Sequence, residues 1–210
     1  MRIEERIEIV THILDKHYPN PQASLDYTTP FTLLVATLLS AQCHDEQVNR
    51  VTPKLFEIAD TPQKMALLSE ETIGKIIYSC GFYHTKAHYI RELSEQLCAL
   101  HNGHVPRDFE SLEKLSGVGH KTASVVLGHA FGLPAFPVDT HIRRLAIKWK
   151  LSPGPSVERV EQDLKRIFPQ NTWFKRHIQI ISYGRQYCNR QACRPEHPCE
   201  ICSALKAYSK

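Results

Sequence analysis

The sequence predicts an all-α protein, and three observations carry that prediction. Apolar residues recur at spacings of three and four through nearly every segment. No stretch keeps the strict alternation of a half-buried strand, and prolines recur between the periodic segments. The apolar share of 42% and the charged share of 23% are those of an ordinary globular protein.

The helices are expected in the following order. Residues 3–17 carry one apolar stripe, formed by Ile3, Ile7, Val10, Ile13 and Leu14. Residues 31–39 are apolar on most faces, which predicts a buried central helix. Residues 86–100 form an amphipathic helix with Ile90, Leu93, Leu97 and Leu100 on one side. Shorter helices are predicted at 44–58, 63–68, 71–78, 108–114, 119–130, 140–149, 156–167 and 172–186.

Two segments break this pattern. Residues 132–138, GLPAFPV, cannot be helical, so a domain boundary is expected there. The tail after Gly184 loses its apolar periodicity and fills with cysteine, proline and arginine. Such a tail is expected to build no core of its own, which favours a metal as its organiser.

Composition also limits the function classes. The longest apolar run, Phe31 to Leu39, is too short to span a bilayer, so no membrane partner is expected. The start, MRIEERIEIV, is acidic and amphipathic, unlike a signal peptide. These features predict a cytoplasmic protein in a reducing compartment. The net charge of +4 permits a polyanionic partner without demanding one.

The most informative segment is LSGVGHKTA, residues 115–123. A helix, a Gly-x-Gly turn and a second helix predict a helix–hairpin–helix. Gly117 and Gly119 let the backbone turn and approach a ligand closely. The N–H groups of the turn and of the next helix form an anion site, which on DNA would take a backbone phosphate. A glycine turn between two helices also occurs widely without any binding function.

Lys121 lies in the first turn of the second helix. The helix dipole is positive there, so stability alone would favour an acidic residue. The same field favours a neutral amine, and neutral amines attack carbon electrophiles to form Schiff bases. The alternative is a solvated lysine or one that contacts phosphate.

Asp139 lies in the motif PVDTHIRR, residues 137–144. It directly precedes an apolar-periodic run, where an N-cap carboxylate is expected. A capping carboxylate can still face a cleft and stabilise a developing cation.

Residues 115–145, LSGVGHKTASVVLGHAFGLPAFPVDTHIRRL, closely resemble the hairpin, lysine and aspartate segment of the endonuclease III family, within the helix–hairpin–helix DNA glycosylase superfamily. The likeness continues in LLVATLLSAQCHDEQVNRVTPKLF (33–56), in GFYHTKA (81–87) and in Gly184-Arg185. It covers nearly the whole chain.

The resemblance implies two helical domains, residues 23–134 and residues 1–22 plus 135–210, with a DNA cleft between them. It implies a DNA N-glycosylase and abasic-site lyase of base excision repair, with Lys121 as nucleophile and Asp139 as the essential carboxylate. The implied substrate is double-stranded DNA with damaged bases, oxidised pyrimidines first, or abasic sites. The enzyme would be a monomer, associated with the nucleoid in a bacterium.

The resemblance also implies the DNA contacts. Gln42 and Phe82 would fill the gap left by an extruded base, and the family commonly has an aliphatic residue in place of Phe82. A surface amide and core packing at a helix end are the alternatives for these two residues. The hairpin contacts would come from Gly117, Val118, Gly119, His120 and Thr122.

Four cysteines cluster as Cys188-x4-Cys193-x5-Cys199-x2-Cys202, while Cys43, Cys80 and Cys98 are scattered. Four thiolates suit an iron–sulfur cluster or tetrahedral zinc, and spacing alone favours neither. The resemblance favours a 4Fe–4S cluster in the C-terminal loop.

The fit to the family's usual order, Cys-x6-Cys-x2-Cys-x5-Cys, is incomplete. Cys188 and the pair Cys199 and Cys202 match, but no cysteine follows Cys202. Cys193 is expected to replace the missing ligand, with His197 as a weaker candidate. Four basic residues of the tail would meet DNA phosphates or remain solvated: Arg185, Arg190, Arg194 and Lys206.

Three other functions compete with that of a glycosylase and lyase. The adenine-specific glycosylase of the same superfamily lacks a lysine at this hairpin position and normally carries a further C-terminal domain, so Lys121 and the 210-residue length argue against it. A non-catalytic DNA-binding module would not need Lys121, Asp139 and a wedge together. A metal or redox protein would need no hairpin.

Overall fold

The computed structural model describes residues 1–189 and 191–207, and helices account for all the regular structure in these two ranges. The α-helices are α1 Ile3–His17, α2 Pro30–Leu39, α3 Asp45–Ile58, α4 Pro62–Ala66, α5 Glu70–Ile77, α6 Tyr83–His101, α7 Phe109–Glu113, α8 His120–Phe131, α9 Thr140–Lys148, α10 Val157–Ile167, α11 Trp173–Gln186 and α12 Glu200–Leu205. Short 3-10 helices lie at Tyr78–Cys80 and Gln170–Thr172. The predicted all-α class is confirmed.

The chain divides into two compact units, one of Ala23–Leu133 and one of Met1–Gln22 with Pro134–Lys210. The first of these, the hairpin unit, is built around α2. Thr29 caps this helix by accepting a hydrogen bond from the Thr32 backbone N–H, and Pro30 occupies its first position. Residues 31–39 are all buried, and α2 contacts α3, α6 and α8. The expectation of a buried central helix is confirmed.

The second unit, the cysteine unit, has its own core around Trp149, Tyr183 and Phe136. Helix α1 packs on α11 and α12, and α9 packs on α10 and α11. A bidentate ion pair joins α1 to α11, with Arg176 donating to both Asp15 oxygens at 2.8 and 2.9 Å. The hydrogen bond from Arg176 holds the pKa of the Asp15 carboxyl far below its usual range, so this pair stays ionised.

The tail joins the core of the cysteine unit and contains a helix that periodicity does not predict. The residues after Gly184 do contribute to a core, because Cys188, Cys193 and Cys202 are buried in it. The short helix α12, which periodicity does not reveal, adds Ile201 and Leu205. Outside the core, Glu200 of α12 accepts hydrogen bonds at 2.8 Å from Lys16 and at 2.7 Å from His17. The tail is therefore packed against α1 by apolar and polar contacts.

One expectation is wrong at the end of α6. Ile90, Leu93 and Leu97 are fully buried, but Leu100 is 72% exposed. The last turn of α6 ends at the left-handed residue Asn102, and the apolar face does not continue to it.

No helix in the described part of the chain has the length and apolar character needed to cross a membrane.

Candidate DNA-binding and catalytic site

The hairpin turn between α7 and α8 depends on Gly117. Its φ of 72° lies in the left-handed region, where a side chain is strained. A Cβ at this position would also lie 2.8 Å from atoms of the Tyr89 side chain. Gly117 is therefore required by backbone conformation and by packing against α6.

Polar contacts from α6 and α7 hold the same turn. The Ser116 backbone N–H donates to Gln96 at 2.8 Å, and its hydroxyl donates to Glu92 at 2.6 Å. A ring nitrogen of His120 lies 2.6 Å from a Glu113 carboxylate oxygen, and the His120 ring stacks on Phe109 with centroids 5.0 Å apart. The His120 side chain is thus directed back onto α7, which leaves its backbone as the group suited to a phosphate.

Gly119 has a different role from Gly117. It is the N-cap of α8 with extended backbone angles, φ −93° and ψ 175°, which any residue can adopt. A Cβ there would meet nothing within 4 Å. Glycine has no side chain, so Gly119 makes no side-chain cap at this end of α8. The absence of a side chain at Gly119 allows an anion to approach the backbone closely.

Of the other hairpin residues, Val118 is 6% exposed, so its side chain belongs to the core and only its backbone can meet DNA. Thr122 is half-buried. Lys121 lies in the first turn of α8, is exposed and follows the bare cap at Gly119. Lys121 therefore belongs to the same helix turn as the candidate phosphate site.

We predict that Gly119→Ala weakens DNA binding about tenfold on damaged and undamaged duplexes alike, because the added methyl group blocks contact with a phosphate. The free energy of unfolding should fall by less than about 1 kcal/mol, the difference between glycine and alanine caps. Fluorescence anisotropy and thermal melting measure the two effects.

The comparison variant is Gly117→Ala, which should lower both the melting temperature and the affinity. Wild-type affinity in Gly119→Ala would show that the N-terminus of α8 does not contact DNA.

Asp139 caps α9 in the cysteine unit. Its Oδ1 atom accepts hydrogen bonds from the backbone N–H groups of His141 and Ile142, both at 2.9 Å. The preceding segment is fixed, because Phe136 and Val138 lie in the core and the Pro137 carbonyl accepts a 2.7 Å hydrogen bond from His177. The half-buried carboxylate is therefore held on a rigid backbone.

The two candidate gap-filling residues lie in turns of the hairpin unit. Gln42 and Phe82 are both exposed, and both have left-handed backbone angles, with φ of 52° and 48°. Such conformations are uncommon for residues other than glycine, and they recur at functional sites. Phe82 is 67% exposed, so the alternative that its ring packs in the core is wrong.

Other aromatic rings adjoin Phe82 along the chain. The rings of Tyr78 and Tyr83 lie 4.8 Å apart, and those of Tyr83 and His84 lie 4.0 Å apart. Tyr78 is also 67% exposed. This surface suits stacking on nucleic-acid bases.

The four tail cysteines come together in the cysteine unit. The Sγ atoms of Cys188, Cys193, Cys199 and Cys202 all lie within 4.8 Å of one another, and three of these residues are buried. Hydrogen bonds from Cys188 and Cys202 hold the pKa of the Cys199 thiol well below its usual range, which favours the thiolate that metals bind. His197 is exposed and lies outside this group.

The family model of the HhH-GPD superfamily of base excision DNA repair proteins matches residues 35–170. Endonuclease III of Escherichia coli K12 is 42% identical over 188 residues, which are 90% of this chain and 89% of the relative. The chain belongs to the endonuclease III family.

Two solved structures extend this likeness to the fold. One is a non-covalent endonuclease III–DNA complex, with a TM-score of 0.88, 37% identity and coverage of 98% of this chain and 99% of that one. The other is a trapped endonuclease III–DNA covalent intermediate, with the same score and identity and coverage of 98% and 100%. The resemblance found in the sequence is confirmed.

A further basic residue lies beside the four-cysteine group of the tail. A lysine outside the sequence-based site, Lys148, donates to Cys193 Sγ at 3.2 Å. Burial disfavours the Lys148 ammonium, but this hydrogen bond and the charges of Cys188 and Cys202 leave its pKa raised. Lys148 therefore places a cation beside the four-cysteine group. It also lines a cavity of about 530 Å³ with Arg194 and Lys206.

The remaining basic residues of the tail are placed differently. Arg185 lines an adjoining cavity of about 660 Å³ with Arg143 and Arg144, and Arg144 lines both cavities. Arg190 lies outside the described residues.

Sequence reasoning missed Lys148, since its partner is 45 residues away. It also missed Lys86, although that lysine stands one turn before Ile90 on the apolar face of α6, a position where a charge is unexpected.

Proposed function

We propose that this protein is a bifunctional DNA N-glycosylase and abasic-site lyase that removes damaged pyrimidines, oxidised ones first, from duplex DNA. The observation that carries the proposal is the exposed amine of Lys121 at the bare N-terminus of α8, in a chain 42% identical to an endonuclease III. The backbone of this helix end binds a DNA phosphate, and the amine lies beside it.

Catalysis begins at the sugar of the damaged nucleotide. The neutral Lys121 Nζ attacks C1′, the glycosidic bond breaks, and the base leaves with the bonding electrons. Opening of the sugar ring gives an imine between Nζ and C1′. Loss of a C2′ proton then expels the 3′ phosphate by β-elimination, and water hydrolyses the imine to release the enzyme.

Asp139 acts on the charges of the first step. Its carboxylate stabilises the cationic sugar or takes the proton that Nζ must lose. The cap bonds at Oδ1 and the buried neighbours fix the carboxylate for either role.

Base extrusion depends on the hairpin unit. The damaged base leaves the stack before C1′ is accessible, and Gln42 and Phe82 enter the gap. Their exposed, left-handed turns present both side chains outward. An aromatic ring at Phe82 both wedges and stacks.

The proposal is tested with purified protein and duplexes that carry thymine glycol, uracil, a pyrimidine dimer or an abasic site. We expect excision of thymine glycol, strand cleavage on the 3′ side of the abasic site and a borohydride-trapped adduct on both substrates. Binding without cleavage of abasic DNA would favour the non-catalytic module.

The four-cysteine group holds a metal cofactor, which we propose is a 4Fe–4S cluster. The donors are four thiolates with a cationic lysine beside them, a set that suits this cluster and also zinc. Family resemblance favours the cluster. Bound there, it would fix the tail as a closed loop that carries basic side chains toward DNA phosphates.

We predict that the protein purifies brown, with iron and acid-labile sulfide near four each per chain. Cys193→Ser should lose iron or become oxygen-labile, because this change removes one of the four clustered thiols. The matched control is Cys98→Ser, at a half-buried thiol outside the cluster, which should keep its iron. Colourless protein with one zinc per chain would replace the cluster with a zinc site, and a stable cluster in Cys193→Ser would remove Cys193 from the ligand set.

A further inference from the structure

Lys86 is a buried cation that the proposed mechanism does not use. Its side chain is 5% exposed, although it belongs to α6 near the surface turns of the hairpin unit. Nζ donates to the backbone carbonyl of Leu39 at 2.9 Å and to that of Cys80 at 2.8 Å. Lysine is almost never fully buried unless it is paired, so these two bonds define its environment.

Each of the two acceptor carbonyls belongs to the last residue of a helix. A turn that carries a candidate gap-filling residue follows each helix directly. Leu39 is the last residue of α2, and Cys80 is the last residue of the 3-10 helix that follows α5. Residues 40–44, the Gln42 turn, follow the first carbonyl. Residues 81–82, the Phe82 turn, follow the second. Carbonyls at helix C-termini carry partial negative charge, which suits an ammonium donor.

Two thiols near this cation affect its pKa, but its hydrogen bonds are made to the two carbonyls. Cys43 and Cys80 both lie beside Lys86, and burial lowers the pKa of the lysine. Burial also raises the pKa of the Cys80 thiol to about 11, with a further contribution from Cys43, so Cys80 is a neutral thiol at physiological pH. The two carbonyls are therefore the groups that hold Lys86.

A second bond joins the same parts of the unit. Gln47, in the first turn of α3 after the Gln42 turn, donates to the Ser79 hydroxyl at 2.6 Å. Ser79 belongs to the 3-10 helix before the Phe82 turn. Three hydrogen bonds, two from Lys86 and one from Gln47, thus fix the separation of two turns that are distant in sequence.

We propose that Lys86, with the Gln47–Ser79 bond as a second link, is a positioning residue that sets the spacing of Gln42 and Phe82 so that both side chains enter the DNA stack together. This inference rests on the proposed function of the two side chains. Their left-handed backbones need support from the surrounding structure, because such conformations persist only where packing determines them. Loss of the link would leave the chemistry at Lys121 intact and impair extrusion of the base.

The test compares Lys86→Met with wild type on two duplexes, one with thymine glycol and one with an abasic site. Methionine keeps the length and apolar packing of the side chain but donates no hydrogen bond. Single-turnover excision of the base should fall at least tenfold, while abasic-site cleavage should change less than threefold, because abasic DNA needs little unstacking. Fluorescence of 2-aminopurine beside the lesion should show slower extrusion.

The control for loss of a lysine charge is Lys75→Met, at an exposed residue paired with Glu71 in the same unit, which should behave as wild type on both duplexes. The Gln42→Ala, Phe82→Ala double variant supplies a second control. In that background Lys86→Met should cause no further loss of excision, because the side chains it positions are gone.

An equal loss on both duplexes, a loss that persists in the double variant, or unchanged excision in Lys86→Met would each overturn the inference. If Lys86→Met melts below the assay temperature, Gln47→Ala removes the second link at the surface and must show the same selective loss. Failure of wild type to process either duplex would instead contradict the proposed function itself.

Discussion

Lys121→Gln should abolish the borohydride-trapped protein–DNA adduct on both damaged and abasic duplexes. Glutamine keeps the reach of the side chain but offers no nucleophilic amine, so no imine forms. Turnover should fall by at least about three orders of magnitude, as when a covalent catalyst is removed. Affinity for abasic DNA should change less than about threefold, because only one cationic contact is lost.

A neighbouring lysine gives the matched control. Lys114, just before the hairpin turn, is exposed and paired with Glu110 at 2.8 Å. Lys114→Gln removes one charge from the same surface and should keep full trapping. Undiminished trapping in Lys121→Gln would exclude Lys121 as the nucleophile.

Asp139→Asn should lower turnover by about two to four orders of magnitude, the range for loss of a positioned acid–base group. The helix should remain intact, because asparagine caps nearly as well as aspartate and Oδ1 can still accept from His141 and Ile142. The change therefore removes charge while it preserves structure. Thermal melting and single-turnover kinetics measure the two effects.

Asp108 provides the comparison, since it caps α7 through a 2.7 Å hydrogen bond from the Ser111 N–H. Asp108→Asn makes the same chemical change at another cap and should leave excision unchanged. If Asp139→Asn were as active as Asp108→Asn, Asp139 would be a cap and nothing more.

The parts of the site that the sequence predicts are those governed by local chemistry. The left-handed Gly117 and the cap at Asp139 follow from residue type and immediate neighbours, and the structure shows both. Lys86 and Lys148 escape such reasoning because their partners are distant: Leu39 is 47 residues from Lys86, and Cys193 is 45 residues from Lys148. Only the tertiary fold gives a buried lysine its acceptors.

The missed helix α12 and the exposed Leu100 have physical causes of the same kind. A helix of six residues, such as α12, is too short for a periodic apolar pattern. Its Cys202 is a candidate ligand that also packs as a small buried side chain. Leu100 keeps the spacing of the buried face, but burial requires a neighbouring element at the last turn of α6. Spacing alone does not supply that neighbour.

The packing of α12 and α11 against α1 has a consequence for biosynthesis. The hairpin unit is one continuous stretch, Ala23–Leu133, so it can fold on the ribosome as soon as it emerges. Helix α1 is made before the hairpin unit, yet its apolar residues Val10, Ile13 and Leu14 belong to a core shared with α11 and α12, which are made after that unit. The proposed cofactor site at Cys202 is therefore completed only after the whole hairpin unit has been made. A chain that lacks α11 and α12 would retain a folded hairpin unit while α1 exposes an apolar stripe to chaperones and proteases.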